Sequence, residues 1–287
     1  MTILELKRYF KNELSELYSE SESAVLFGIF AYKTIGFNQF QLRKFSHQQV
    51  LETDIEDFEN VIIDLKSGKP YQHILGETEF YGFSFFVNEN VLIPRPETEE
   101  LLEFAIKKIR NSRFEIQDLQ PKNLKILDIG TGSGIIPIIL KKHFPEAEIS
   151  AIDISEKALE MAKKNSNFHK TEITFIKKDF LNEILDENFD IIISNPPYIG
   201  IDEETEIADS VKDFEPKIAL FSPISDALIF YRKIAEFSQN NLTENGMIFL
   251  EINQKLGLET LDLFKNLKHS ELIKDISGND RILFAQK

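Results

Sequence analysis

The sequence contains no cysteine. That excludes disulfides, thiol nucleophiles and cysteine-ligated zinc or iron–sulfur centres, and it fits a reducing compartment. No run approaches the roughly 18 uninterrupted apolar residues of a membrane-spanning helix. The amino-terminal stretch MTILELKRYFKNELSELYSE is amphipathic and acid-rich and lacks the apolar core of a secretory signal. Together these absences predict a cytoplasmic protein with no membrane contact. Positive charge is also scarce: 33 Lys and Arg stand against 48 Asp and Glu, a net charge of −15. Holding duplex nucleic acid requires many cations against phosphates, so this chain repels a polyanion unless its basic residues cluster. The same charge suits a basic protein partner, or serves solubility alone. Repeats and low-complexity segments are missing too.

What is present is the composition of a folded protein, 42% hydrophobic and 28% charged over 287 residues. Residues 1–70 read as a small helical bundle. Leu4, Leu6, Phe10, Leu14 and Leu17 recur at helical spacing, and Ala24–Ile35 is apolar enough for a buried helix. Ser46–Gln49 is read as the start of another helix and Ile55–Leu65 as a further one. Lys66-Ser67-Gly68-Lys69-Pro70 marks a turn or linker. Residues 71–94, with the aromatic run Thr78–Val87 around Gly82, are expected to form a linking β-hairpin.

From residue 95 to 287 short apolar strands alternate with helices. The strand candidates are Leu124–Asp128, Glu148–Asp153, Glu172–Lys177, Asp190–Ser194 and Met247–Glu251, with helices at Ile135–His143, Glu156–Asn165 and Ala227–Phe237. This alternation predicts an α/β domain with a mostly parallel sheet covered on both faces. Leu272–Ser277 and Arg281–Gln286 are expected to add an antiparallel edge hairpin.

Three strand ends carry candidate ligand groups. Gly130-Thr131-Gly132-Ser133-Gly134 follows the first strand and opens a helix. Its glycines allow a tight turn and close approach of backbone to a ligand. The spacing is neither the dinucleotide fingerprint nor a P-loop, which needs a following Lys-Ser/Thr. Asp153 ends the second strand, about 20 residues beyond the loop, where an acid accepts from the two hydroxyls of a ribose; it also suits the N-cap of the next helix. Asp179, after the third strand, is placed to accept from an adenine amino group, with Phe180 to pack on the ring. The set describes an adenosine site along the carboxyl edge of the sheet.

The fourth strand runs into Asn195-Pro196-Pro197-Tyr198. Consecutive prolines fix φ and remove two backbone donors, which leaves a rigid turn with outward carbonyls. A planar NH2 group has two donors; the Asn195 side-chain oxygen suits one and the Pro196 carbonyl the other, with the Tyr198 ring against the planar group. Held so, the nitrogen presents its lone pair for in-line transfer at near-attack distance. This chemistry serves a glutamine amide and an adenine amine equally well.

The glycine loop and acid resemble those of class I S-adenosylmethionine-dependent methyltransferases, a Rossmann-like fold with a seven-stranded sheet. Over nearly its whole length the chain resembles one subfamily, the release-factor glutamine methyltransferases. The likeness rests on Gln72-His73-Ile74-Leu75-Gly76, Phe80-Tyr81-Gly82, Leu92-Ile93-Pro94-Arg95-Pro96-Glu97-Thr98-Glu99, the glycine loop, Asn195-Pro196-Pro197-Tyr198-Ile199, Phe214-Glu215-Pro216 with Ala219-Leu220, and Asp275 to Arg281. It departs at Ser222-Pro223-Ile224-Ser225-Asp226-Ala227, where the family often shows glycines.

The resemblance implies S-adenosyl-L-methionine as cofactor, held by Gly130, Thr131, Gly132, Ser133, Gly134, Asp153, Asp179, Phe180 and Asn195, with Asp128 near its methionine part. It implies Asn195, Pro196, Pro197 and Tyr198 as contacts to the substrate glutamine, of which Asn195, Pro196 and Tyr198 are the catalytic set. The implied substrate is the glutamine of the Gly-Gly-Gln motif in peptide chain release factors, methylated on N5. The helical domain is then a substrate-recognition module. No metal and no direct nucleic-acid contact are expected, and the protein is expected to be a monomer. The alternatives are an adenine-N6 methyltransferase, which the acidic charge disfavours, and a non-catalytic release-factor adaptor, which the intact loop, Asp153 and tetrapeptide disfavour.

Overall fold

The computed structural model describes residues 1–115, 124–198, 209–222 and 226–287. Ile199 and Pro223–Ser225 lie outside them. In chain order the first elements are α1 (Ile3–Glu13), α2 (Glu20–Thr34), α3 (Gln39–Lys44), α4 (Glu52–Lys66), α5 (Tyr71–Leu75), β1 (Glu77–Phe80), β2 (Phe83–Phe86), α6 (Pro96–Glu115), β3 (Lys125–Ile129), α7 (Ile135–His143) and β4 (Glu148–Asp153). There follow α8 (Glu156–His169), β5 (Thr174–Lys177), β6 (Phe189–Ser194), α9 (Asp209–Phe214), α10 (Lys217–Leu220), α11 (Ile229–Asn241), β7 (Leu242–Glu251), α12 (Gly257–Leu263), β8 (His269–Lys274) and β9 (Asp280–Gln286). The chain divides into two compact units, Met1–Glu77 with Asp209–Phe214, and Thr78–Ala208 with Glu215–Lys287.

The first unit is helical because its sequence caps its helices. Thr2 with Glu5, Ser19 with Glu22 and Asn38 with Gln41 form reciprocal capping boxes at the starts of α1, α2 and α3. Its core gathers Phe10, Phe27 and Phe58, with ring centroids 5.3 to 5.8 Å apart. The apolar α2 is only half buried: Leu26, Phe27, Phe30 and Ala31 face the core, while Val25 and Tyr32 are exposed. No helix begins at Ser46–Gln49. The carbonyls of Ser46 and Gln48 accept from the Leu4 and Ile3 N–H groups, two of the orphan donors at the start of α1, and Gln49 bridges Thr2.

Still within the first unit, the segment before β1 is itself partly helical, since Tyr71–Leu75 forms α5 and ends on left-handed Gly76. The hairpin is therefore confined to β1 and β2, which form a separate two-stranded sheet. The main sheet has seven strands in the order β5-β4-β3-β6-β7-β9-β8, and only β9 pairs antiparallel. It is the mostly parallel, doubly covered sheet expected from the strand–helix alternation, in the Rossmann-like class I methyltransferase arrangement that the resemblance implies. The fully apolar strands follow from burial on both faces. Ile126, Ile191, Ile193, Met247 and Phe249 pack under α6 and α7, whereas Leu127, Ile192, Ile248 and Leu250 pack under α11 and α12. That alternation decides which side chains reach which side of the carboxyl edge. No helix among the described residues is long and apolar enough to cross a membrane.

Candidate active site

The carboxyl ends of β3, β4 and β6 open onto a cavity of about 870 Å³. Its wall includes Gly130, Gly132, Asp153, Asp179, Phe180 and Asn195, and also Pro196 and Pro197. Residues separated by 65 positions in sequence thus border one space, at the edge where open α/β sheets take ligands. The volume suits a nucleoside-sized ligand with a reacting side chain beside it.

The glycine loop is built to turn. Gly130, Gly132 and Gly134 all have positive φ. The N–H groups of Gly130 and Thr131 both donate to the Ile152 carbonyl, at 2.9 and 3.0 Å, which ties the loop to β4. Gly134 has a packing duty as well, since a Cβ there lies 2.9 Å from the Cβ of Ala162 on α8. Thr131 and Ser133 are buried rather than on the cavity wall. Asn165 clamps the far end of the loop: its Nδ2 donates to the Ser133 carbonyl at 2.8 Å and to the Phe86 carbonyl at 2.9 Å. The hairpin is thereby fastened to the loop.

The N-cap of α8 is Ser155, whose side chain accepts from Ala158 N–H, and not Asp153, which instead ties the glycine loop to that cap. Its carboxylate accepts from Gly132 N–H at 2.9 Å and from Ser155 N–H at 2.8 Å. Burial pushes its pKa up, and the backbone donors hold it down. It remains on the cavity wall with lone pairs to spare. Asp179 accepts from Leu181 N–H and Asn182 Nδ2 and also borders the cavity. Phe180 is 5% exposed and meets Phe237 edge to face, so only a margin of its ring reaches the cavity.

Asp128, fully buried at the end of β3, leaves both carboxylate oxygens without a hydrogen bond of normal geometry, with the Thr131 hydroxyl its polar neighbour. Burial pushes the Asp128 carboxyl up to about 7; the Thr131 hydroxyl opposes this and the Asp153 charge adds to it. A buried acid with open acceptor sites beside a glycine loop fits a ligand that brings a cationic amino group. The residues present therefore fit S-adenosylmethionine: an acid for its amino group, glycines for close approach, and Asp153 and Asp179 for the nucleoside.

Three residues absent from the sequence-derived set belong to this neighbourhood. Glu215 is buried and accepts from Arg95 Nη2 at 2.6 Å and from Ile93 N–H at 2.9 Å. It joins the Leu92–Pro96 segment to Pro216, and both segments reach the cavity wall. Thr98 and Glu251 are the others. Thr98 Oγ1 donates to Glu251 Oε2 at 2.7 Å and accepts from Asn195 Nδ2 at 3.1 Å. Tyr198 is set deeper than expected: its ring packs against the core and its hydroxyl donates to Glu251 Oε1 at 3.2 Å. The signals were visible: Glu215 lies within a family marker, and Glu251 is a charge at the end of an otherwise apolar strand.

A family model described as "Methyltransferase small domain" matches residues 104–212. The chain is 45% identical to a release factor glutamine methyltransferase of Flavobacterium psychrophilum, over 99% of this chain and 98% of that protein. It is 36% identical to one from Bacteroides thetaiotaomicron, over 97% of this chain and 98% of that protein. A methyltransferase from Pyrococcus furiosus shares the fold with a TM-score of 0.50 at 16% identity, covering 72% of this chain and 90% of that one. The sheet order, the glycine loop and the Asn-Pro-Pro-Tyr turn thus coincide with end-to-end sequence likeness, and the chain belongs to the family of release factor glutamine methyltransferases.

Proposed function

We propose that this protein transfers the methyl group of S-adenosyl-L-methionine to the side-chain amide nitrogen, N5, of the glutamine in the Gly-Gly-Gln motif of peptide chain release factors, and so modulates translation termination. One observation carries the reading: the Asn195–Pro197 turn and the glycine loop with Asp153 line the same cavity. A nitrogen acceptor site beside an adenosine site is what methyl transfer requires. The names of the full-length relatives support glutamine over adenine, and the net charge of −15 works against a polyanionic substrate.

The cofactor supplies an electrophilic methyl group on a sulfonium. The chain binds and orients. Gly130 and Gly132 let the backbone approach, Asp153 accepts from ribose hydroxyls, Asp179 from the adenine amino group, and Asp128 holds the amino group of the methionine part. Asn195 Oδ1 and the Pro196 carbonyl each accept one N–H of the substrate amide. The nitrogen is thereby held in line, and conjugation with its carbonyl weakens. The cation formed on transfer is strongly acidic and loses its proton to solvent. Pro197 stiffens the turn, and Tyr198 closes the amide subsite with the part of its ring outside the core. Residues 1–70 hold the release factor at a surface remote from the glutamine, and the enzyme acts as a cytoplasmic monomer without nucleic acid.

The test is methyl transfer from labelled cofactor to purified release factor, with mass mapping of the product. Label on N5 of the Gly-Gly-Gln glutamine, and none on a factor with that glutamine replaced, is the expected result. Equal labelling of the replaced factor, or labelling of an oligonucleotide instead, overturns the reading.

A further inference from the structure

Only one end of the Asn195 amide serves the reaction proposed above. Oδ1 accepts a hydrogen from the substrate nitrogen, whereas Nδ2 would point a donor at a donor. The two ends have nearly the same shape, so shape alone does not choose between them.

The choice is made behind the residue. Glu251 is 1% exposed and Thr98 is 2% exposed, so water does not compete for either. An ionised carboxylate only accepts hydrogen bonds. It claims the single proton of the Thr98 hydroxyl, through the 2.7 Å contact to Oε2. With its proton committed, the Thr98 oxygen can only accept, and it accepts from Asn195 Nδ2 at 3.1 Å. Oδ1 is left for the cavity side. The order of donors and acceptors thus follows from the charge on Glu251 alone. The other carboxylate oxygen, Oε1, accepts from the Tyr198 hydroxyl at 3.2 Å. One carboxylate therefore holds both ends of the four-residue turn.

We infer that Glu251 is a positioning residue which, through Thr98, determines which end of the Asn195 amide faces the nitrogen being methylated. This rests on the reading of Asn195 as an acceptor for the substrate amide. The three residues come from different elements: Thr98 from the first turn of α6, Asn195 from the end of β6 and Glu251 from the end of β7. Ser194 pairs with Leu250, so Asn195 and Glu251 are the next pair in register, on the face that α6 covers.

The groups facing the carboxylate are Thr98 and Glu97 of α6, Tyr198 after β6, Tyr231 of α11 and Arg281 of β9. The Tyr231 hydroxyl bonds the Glu251 backbone carbonyl. Burial disfavours the charged form and Glu97 adds to it, while the hydrogen bonds from Thr98 and Tyr198 and the charge of Arg281 oppose them; burial prevails, which sets the carboxyl at about 7. Below that pH the proton on Glu251 frees the Thr98 hydroxyl to turn round, and Asn195 loses its fixed sense.

The experiment compares Thr98→Val, Thr98→Ser and Glu251→Gln in the full-length enzyme acting on whole release factor. Val keeps the shape and lacks the hydroxyl. It should lower kcat about tenfold, the loss of roughly one hydrogen bond's worth of orientation, with cofactor Kd and KM within about twofold of wild type. Ser, which keeps the hydroxyl, should recover most of the loss. Wild-type kcat should fall as pH drops through about 7, and Glu251→Gln should be slow at every pH with that limb removed. The inference is overturned if Thr98→Val turns over like wild type, if Ser is as impaired as Val, or if the acid limb survives in Glu251→Gln. Should Glu251→Gln fail to fold, the Thr98 pair still decides. Asn195→Ala separates the two claims. Impaired Asn195→Ala beside unimpaired Thr98→Val overturns the positioning alone, while unimpaired Asn195→Ala overturns the acceptor reading beneath it.

Discussion

Gly132 donates its backbone N–H to Oδ2 of Asp153 at 2.9 Å, across 21 positions of sequence. An acid on the cavity wall thus also holds the glycine loop that borders the same cavity. Asp153→Asn keeps the size and one acceptor oxygen and loses the charge. Hydrogen bonds to charged groups contribute roughly 1.5–3 kcal/mol, so cofactor Kd should rise on the order of tenfold to a hundredfold. Titration calorimetry with S-adenosylmethionine checks this; an unchanged Kd removes Asp153 from the site.

Gly134 is the glycine that packing requires. Its φ is +79°, and a Cβ would stand 2.9 Å from Ala162 Cβ and 3.1 Å from Ala162 Cα. Backbone strain and overpacking act together, so Gly134→Ala should cost about 2 kcal/mol of stability. A urea midpoint lowered at constant slope is the expected result. A midpoint equal to wild type would mean that α7 and α8 separate at no cost.

Acidity should stabilise the cofactor-free protein near neutrality. Burial raises Asp128 from 3.8, and Glu251 from 4.5, to about 7 in the folded state. A carboxyl with a raised folded pKa costs stability when it ionises in the folded protein. That cost is fully present above the folded value and vanishes below the ordinary one. Stability should therefore rise as pH falls from about 8 to about 6.5, and Asp128→Asn should rise less. His143 and His169, lowered from 6.5 by burial, act in the opposite sense at more acid pH. Melting temperatures at the two pH values measure the effect. A gain in Asp128→Asn equal to that of wild type sinks the assignment.

The helical unit exposes Tyr32 at 66% and Phe40 at 70%. If residues 1–70 hold the release factor, replacing both by Ala should raise KM for the whole factor about fivefold, since aromatic side chains dominate protein contacts. KM for a short Gly-Gly-Gln peptide should stay constant. Steady-state kinetics on the two substrates decide, and parallel changes count against a remote recognition surface.

Much of the fold was legible because burial imposes a period. The apolar strands and the helix Ile135–His143 announce a sheet covered on both faces, and the spacing of Leu6, Phe10 and Leu14 announces α1. Local misreadings arose where a distant backbone intervened. Ser46–Gln49 is not a helix because its carbonyls satisfy the start of α1. The segment before the hairpin begins as α5, ending on Gly76.

The glycine loop, Asp153, Asp179 and the Asn195–Pro197 turn were legible as chemistry, since each carries its reason locally: positive φ, an acid at a strand end, prolines that stiffen a turn. Their meeting in one cavity, the inward setting of Tyr198 and the parts played by Glu215, Thr98 and Glu251 were decided by tertiary structure alone. A carboxylate buried among hydroxyls acts through what it faces, and strand register and helix placement determine that. The sequence determined which groups this protein has for binding a nucleoside and aiming an amide. Only the folded sheet, by stacking Asn195 beside Glu251 under α6, decided which way the amide points.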